Sequence, residues 1–168
     1  MDVVRLHIPY QFIKPRVRLS WRDIRFGLAN DLLATEAPVE FAIDQAERFQ
    51  GPPAVQRDLA GAGNDAQVLD LVERLAESES RCPDDEIRRK WLYLALAWVY
   101  EHRNRYSDPL QEVEKIYANF DYPERVSSFV RYMPMVGPDL GSREANERRL
   151  LDRWKEYLDS VGGRFSPS

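Results

Sequence analysis

The sequence predicts an all-α protein: a compact multi-helix bundle of about eight helices around a central buried helix, with room for one short N-terminal strand. Three observations predict it. Apolar residues recur at spacings of three and four along most of the chain. Capping residues and prolines interrupt that rhythm at short intervals. One segment, Trp91 to Tyr100 (WLYLALAWVY), is apolar on every side, as a helix buried all round must be.

The elements follow in order. Val4, Leu6 and Ile8 alternate with Arg5 and His7, which fits a short strand over 3–8, but Pro9 limits it and no second strand follows to pair with it. Residues 9–19 read as an irregular arm. Ser20 is an N-cap with Asp23 well placed in the first turn, ahead of Trp21, Ile24, Leu28 and Leu32 at helical spacing. Thr35 is the next candidate cap, with Val39, Ala42, Ile43, Ala46 and Phe49 as the inner stripe. Gly51-Pro52-Pro53 stops that helix and starts a short one through Leu59, and Gly61-Ala62-Gly63 punctuates again. Asn64 with Gln67 approximates a capping box before Val68, Leu71, Val72, Leu75 and Ala76.

Pro83 and the triplet Asp84-Asp85-Glu86 open the central helix, which extends to about His102 and packs round Trp91 and Trp98. Removing Trp98 from a buried helix should cost on the order of 3–5 kcal/mol. Asp108-Pro109 is a cap followed by proline at the first helical position, with Leu110, Val113, Tyr117 and Phe120 inward. Asp121 and Pro123 repeat the device before Val126, Phe129, Val130 and Met133. Pro134 to Gly141 is a loop. Ser142 caps a last helix with Leu150, Leu151, Trp154, Leu158 and Val161 inward, ended by Gly162. The four tryptophans, Trp21, Trp91, Trp98 and Trp154, all lie on apolar stripes and are read as core.

The chain of 168 residues is expected to be a single helical domain over 1–168: an arm at 1–19, a core at 20–162 and a tail at 163–168. Its single cysteine, Cys82, cannot close an internal disulfide, which fits a reducing cytoplasm or a secreted chain without bridges; the charged start has no signal-peptide core, so a cytoplasmic location is expected. Ten apolar residues reach only about 15 Å as a helix, half a bilayer core, so no membrane partner is expected.

Chemistry-bearing motifs are sparse. The two histidines, His7 and His102, are far apart, and there is no HExxH, CxxC, EF-hand loop, GxSxG, P-loop or GxGxxG. No metal and no cofactor is expected, and no catalytic residue is assigned. His102 reads as a helix-terminal imidazole favoured by the dipole, with Glu101–His102 catalysis the weaker alternative. Cys82 lies beside carboxylates that would raise its pKa and blunt it as a nucleophile. Asp121 reads as a cap rather than a general base.

Charge is more informative. Residues 1–30 carry six Lys/Arg against two Asp, residues 31–86 four Arg against fourteen acids, and residues 87–168 fourteen basic against twelve acidic side chains, within a net charge of −4. In the acidic middle, Glu36, Glu40, Asp44 and Glu47 share one helix face, and Asp70, Glu73 and Glu77 share another. Like charges at these spacings cost a few tenths of a kcal/mol each. They are either a solvated face or a dock for a basic protein with salt-sensitive association. In the arm, Lys14, Arg16, Arg18, Arg22 and Arg25 alternate with Phe12, Ile13, Val17 and Leu19. They could grip phosphates, or pair with the acidic middle of the same fold.

A family resemblance adds to this. Leu19-Ser20-Trp21-Arg22-Asp23-Ile24 with Phe26-Gly27-Leu28, then Asp108-Pro109-Leu110, resemble elements of an uncharacterised bacterial helical family, domain of unknown function 2247. Ile116-Tyr117-Ala118-Asn119-Phe120-Asp121-Tyr122-Pro123 is the most distinctive shared stretch. Phe129, Tyr132-Met133-Pro134, Trp154, Tyr157 and Leu158 are similar too. The resemblance covers about residues 19–160, leaving the arm outside. It implies no established activity, but such small helical families often resemble immunity proteins of bacterial toxin systems, which neutralise a toxin by covering it.

The expectation is therefore a non-enzymatic bacterial binding protein, of immunity type, whose acidic helical face takes a basic protein such as a cognate toxin. One alternative is an enzyme or nucleic-acid-binding protein using the basic arm and dispersed carboxylates, although the anionic face disfavours nucleic acid. A structural homo-oligomer subunit is the other. The sequence leaves the oligomeric state open.

Overall fold

The computed structural model describes residues 5–48, 64–79 and 83–165. The fold is all-α. Its helices are α1 (Tyr10–Ile13), α2 (Trp21–Ala29), α3 (Ala37–Arg48), α4 (Asp65–Ser78), α5 (Asp84–Glu101), α6 (Pro109–Asn119) and α7 (Arg143–Phe165), with 3₁₀ turns at Arg103–Arg105 and Glu124–Phe129. The expected short helix through Leu59, the punctuation at Gly61 and Gly63, the Phe49 position and Cys82 lie outside the described residues. No helix among the described residues is long and apolar enough to cross a membrane.

The described residues fall into two compact units, 5–91 and 92–165. In the N-terminal unit the described part of the expected strand, residues 5–8, makes a single parallel bridge, between Ile8 and Leu33, and residues 3 and 4 lie outside the described residues. The Ile8 amide donates to Leu32 O at 2.8 Å, and the Ala34 amide to Ile8 O at 2.9 Å. Pro9 then starts the one-turn α1, and without a further partner the ladder cannot grow. Ser20 caps α2 in a complete capping box: its Oγ accepts from the Asp23 amide, and the Asp23 carboxylate accepts from the Ser20 amide. Asn64 caps α4 through the Gln67 amide at 2.9 Å, and α4 buries Val68, Leu71, Val72, Leu75 and Ala76 as the periodicity predicts. It packs against α2.

The inner face of α3 differs from expectation. Ala37, Phe41 and Ala42 are buried, Phe41 edge-on to Trp21 at 4.7 Å, whereas Ile43 is 46% exposed. At about 100° per residue, Ile43 lies roughly 200° round the helix from Phe41, on the opposite side. The first part of α5 completes this unit. Trp91 is fully buried, its Nε1 donates to Asp23 O at 2.9 Å, and its ring lies so close to Gly27 that a Cβ there would meet Cζ2 at 2.4 Å.

In the C-terminal unit, Leu92 to Ala97 and Val99 are all buried, so the greasy segment is the central buried helix it was read to be. Trp98 and Tyr100 are the exceptions, both half-buried; of the two, Trp98 departs from the reading that packs the helix round it. Its ring lies 3.9 Å from that of His102, where the helix nears its end. The loss expected of a buried tryptophan therefore belongs to Trp91. Asp108 caps α6, its carboxylate accepting from the Gln111 amide at 3.4 Å, and Val113 and Ile116 are fully buried on it.

Asp121 does not repeat that device. It and Tyr122 are left-handed, with φ of 60° and 54°, and they end α6: the Tyr122 amide donates back to Tyr117 O at 2.9 Å. Pro123 then leads into a 3₁₀ turn without a side-chain cap. A loop follows to Ser142, whose Oγ caps α7 through the Ala145 amide at 3.1 Å. α7 buries Trp154 between Phe129 and Tyr100, with ring centroids at 6.4 and 5.1 Å. Gly162 does not end this helix, which runs on to Phe165. A Cβ at Gly162 would stand 3.0 Å from the Tyr93 hydroxyl, so the residue is small because a side chain packs there.

Candidate functional site

The acidic residues singled out from sequence are carried by α3, the turn before it and α4. Asp44 is half-buried and already engaged: the Tyr10 hydroxyl donates to it at 2.6 Å and Lys14 Nζ pairs with it at 3.1 Å. Glu40 accepts from Gln11 Nε2 at 3.2 Å, and Glu36 from the Thr35 hydroxyl at 3.0 Å. Glu73 pairs with Arg25 at 2.9 Å and Asp70 with Arg74 one turn on at 3.1 Å. Glu77 is exposed and forms no ion pair among the described residues. Glu47 belongs to α3, but its side chain lies outside the described residues.

The basic arm therefore meets the acidic middle within one unit. Arg16 turns back on its own turn, donating to Phe12 O at 2.7 Å with its guanidinium 3.9 Å from the Phe12 ring centre. Arg22 reaches Glu79 O at 3.2 Å. What the arm leaves exposed on these helices is a mixed surface: Glu36, Asp70, Glu73 and Glu77, with the apolar Ile43 and the 53% exposed Leu69 beside acids on their own helices.

Beneath this surface lies an ion pair that sequence spacing did not announce. Asp23 is fully buried, and its Oδ2 accepts from Lys90 Nζ and from the Ser20 amide, both at 2.9 Å. Its Oδ1 has no hydrogen-bond partner in the protein. A cleft of about 710 Å³ adjoins the pair, lined by Arg18, Ser20, Trp21, Phe41, Arg74 and Lys90 among others. The capping box was legible in the sequence, but its cross-link to a lysine 67 residues away was not.

A second cleft, of about 590 Å³, opens in the C-terminal unit between the 130–141 loop and the start of α7. Two arginines one turn apart on α7 hold the loop by its backbone. Arg149 Nη1 donates to Pro138 O and Arg153 Nη2 to Val136 O, both at 2.6 Å, and Arg153 Nη1 also reaches Ser128 O at 3.4 Å. Gly137 makes this possible: its φ is +95°, and a Cβ would stand 3.3 Å from Arg149 Nη1. The loop is further tied by Asn146, which accepts from the Leu140 amide and donates to Asp139. Those bonds, first from Asn146 and then from the Gly141 amide, hold the Asp139 carboxyl below the usual range. Arg131 is neutralised by Asp108, Glu114 and Glu147 at 2.8, 3.3 and 3.5 Å. Its hydrogen bond to Asp108 holds that carboxyl low.

The family described as "Uncharacterized protein conserved in bacteria (DUF2247)" matches residues 10–162. The chain belongs to that family. The match begins at Tyr10, so α1 and Lys14, which a resemblance starting at Leu19 left outside, are within it. No curated protein and no solved structure matches the chain significantly. In this DUF2247 member the stretch from Ile116 to Pro123 has a physical role: it buries Ile116 and Tyr117, then ends α6 through the two left-handed residues Asp121 and Tyr122.

The remaining candidates are structural in their geometry. His102 Nδ1 lies 2.7 Å from Trp98 O, one turn back. Among the described residues no group of three or more His, Cys, Asp or Glu could hold a metal ion. The arginine-lined cleft was missed in the sequence. Its only signal was Arg149 and Arg153 at helical spacing after a Gly- and Pro-bearing loop, which looks like any solvated helix face.

Proposed function

We propose that this protein is a non-enzymatic, cytoplasmic binding protein of immunity type, which covers a basic protein partner with the outer faces of α3 and α4. The observation that carries the reading is the exposure of Ile43 on α3 and Leu69 on α4, helices that with the turn before α3 also expose Glu36, Asp70, Glu73 and Glu77, of which Asp70 and Glu73 are paired with Arg74 and Arg25. Large apolar side chains give an interface its desolvated centre, and a rim of like charge steers an oppositely charged partner. Membership of a bacterial family and a single cysteine are compatible with this reading.

The test is to purify the protein with the product of the adjacent gene and to measure association at low and high salt. Tight, salt-sensitive binding is expected, weakened at least about tenfold, a loss of roughly 1.4 kcal/mol, by the triple change Glu36→Lys, Asp70→Lys, Glu77→Lys and separately by Leu69→Asp. Association unaffected by these changes would remove α3 and α4 from the interface, and no association would remove the immunity assignment.

A further inference from the structure

The C-terminal cleft carries an inference that is independent of the acidic face. Arg149 and Arg153 each bring a full positive charge to it, and neither has a carboxylate within ion-pair distance among the described residues. Their hydrogen-bond partners are backbone carbonyls rather than carboxylates, although the charge of Arg149 also acts on the Asp139 carboxylate. Arg149 Nε is buried with no hydrogen-bond partner. Arg143, at the start of α7, pairs with Glu147, which also serves Arg131. Of the four arginines in the lining, Arg131 and Arg143 are therefore paired with carboxylates, and Arg149 and Arg153 are not. Asp139 accepts from Asn146 and the Gly141 amide and, as an anion, offsets part of the Arg149 charge, which leaves Arg153 the cation of the lining with no carboxylate acting on it among the described residues.

The apolar part of the lining is exposed. Met135 is 52% and Val136 54% accessible, and Leu140 beside them on the same loop is exposed too. The loop is not loose: two arginine-to-carbonyl bonds and the Asn146 pair hold it, and Arg153 also ties it to the preceding 3₁₀ turn through Ser128 O. Arginine and methionine are enriched at protein interfaces, and a preformed loop keeps the ordering cost of binding low. An apolar rim extending over a loop argues for a polypeptide over a small anion, which would need only the arginines.

From this juxtaposition we infer that the cleft is a docking site for an acidic segment of another protein, whose carboxylates reach Arg149 and Arg153 while its apolar side chains cover Met135 and Val136. Charge complementarity selects the occupant: a basic or neutral segment would leave both guanidinium groups without an ion pair in the contact.

The experiment uses the full chain, isotope-labelled, with amide shifts followed by NMR. The probes are a synthetic peptide of alternating leucine and glutamate, same-length leucine–lysine and leucine–glutamine peptides, and inorganic phosphate. The glutamate peptide is expected to move the amides of residues 131–153, and the other two peptides are not. Met135→Asp with Val136→Asp leaves the clamp bonds in place and should weaken that response at least about tenfold. Arg149→Met tests the charge itself, with circular dichroism to check that α7 persists. Equal response to all three peptides, or none to the glutamate peptide, overturns the inference. Saturation of the same amides by phosphate alone identifies a small-anion site instead. A salt-dissociable dimer in sedimentation, with these residues at its interface, identifies a second copy of the chain as the occupant. Either result overturns the assignment to a separate acidic protein.

Discussion

Lys14 and Arg25, in the N-terminal unit, meet carboxylates: Asp44 at 3.1 Å and Glu73 at 2.9 Å. Arg149 and Arg153, in the C-terminal unit, meet carbonyl oxygens at 2.6 Å. Both arrangements tie a chain segment to a helix by cationic side chains, but they differ in what remains. The first cancels charge and leaves a surface defined by the acids not consumed. The second satisfies its hydrogen bonds without forming an ion pair, so its two arginines are not paired off. Composition alone cannot separate these cases, because it counts arginines and acids without recording which of them touch.

The largest expected effect lies under the neutralised side of this comparison. Asp23→Ala removes the partner of Lys90 and the capping box of α2 together. It should cost about 3–5 kcal/mol in urea unfolding, toward the lower end because Lys90 retains some exposure. A cost below about 1 kcal/mol would mean that the pair is not the internal cross-link of its unit.

Next comes a pH effect in the other unit. Burial pushes the Tyr157 hydroxyl up to about 12. The folded state therefore holds that proton more tightly than the unfolded chain, whose tyrosines ionise near pH 10. The contribution, roughly 2–3 kcal/mol, is fully present below pH 10 and is lost as pH rises through 12. Tyr157→Phe should flatten the alkaline limb of stability over that window, and an unchanged limb would place the phenol in contact with water.

The two clamps can then be set against each other directly. Arg153→Met should cost on the order of 1.5–3 kcal/mol through lost charge-assisted hydrogen bonds, with little change between 0.1 and 1 M salt. Lys14→Met should cost under about 1 kcal/mol at low salt and nearly nothing at 1 M. Chemical denaturation in urea at both salts measures this. Equal salt sensitivity would erase the distinction between the two regions.

How much of this was legible depends on the range of the interaction. Ser20, Asn64, Asp108 and Ser142 were found as caps because a cap and its target lie three residues apart. The greasy segment was read as buried because its pattern needs no partner to interpret. Asp121 failed because cap-then-proline also describes a helix that ends in left-handed residues before a new turn. Ile43 failed because an apolar residue next to a buried Ala42 suits either edge of a stripe. The acidic faces were visible, yet their partners Tyr10, Gln11, Lys14 and Arg25 lie 29 to 48 residues away in sequence. The cleft needed Gly137, Val136 and Arg153 brought together, which only the fold does.

The boundary between the two units, at Trp91 and Leu92, falls inside α5 and not in a linker. Domains joined by linkers can be shuffled between genes because an exposed joint tolerates almost any splice. Here the boundary is a continuous helix whose buried side chains belong to both units, Trp91 to one and Leu92 and Leu94 to the other. A fragment cut within α5, or just after it at Ser107, would therefore strip buried side chains from one unit or the other.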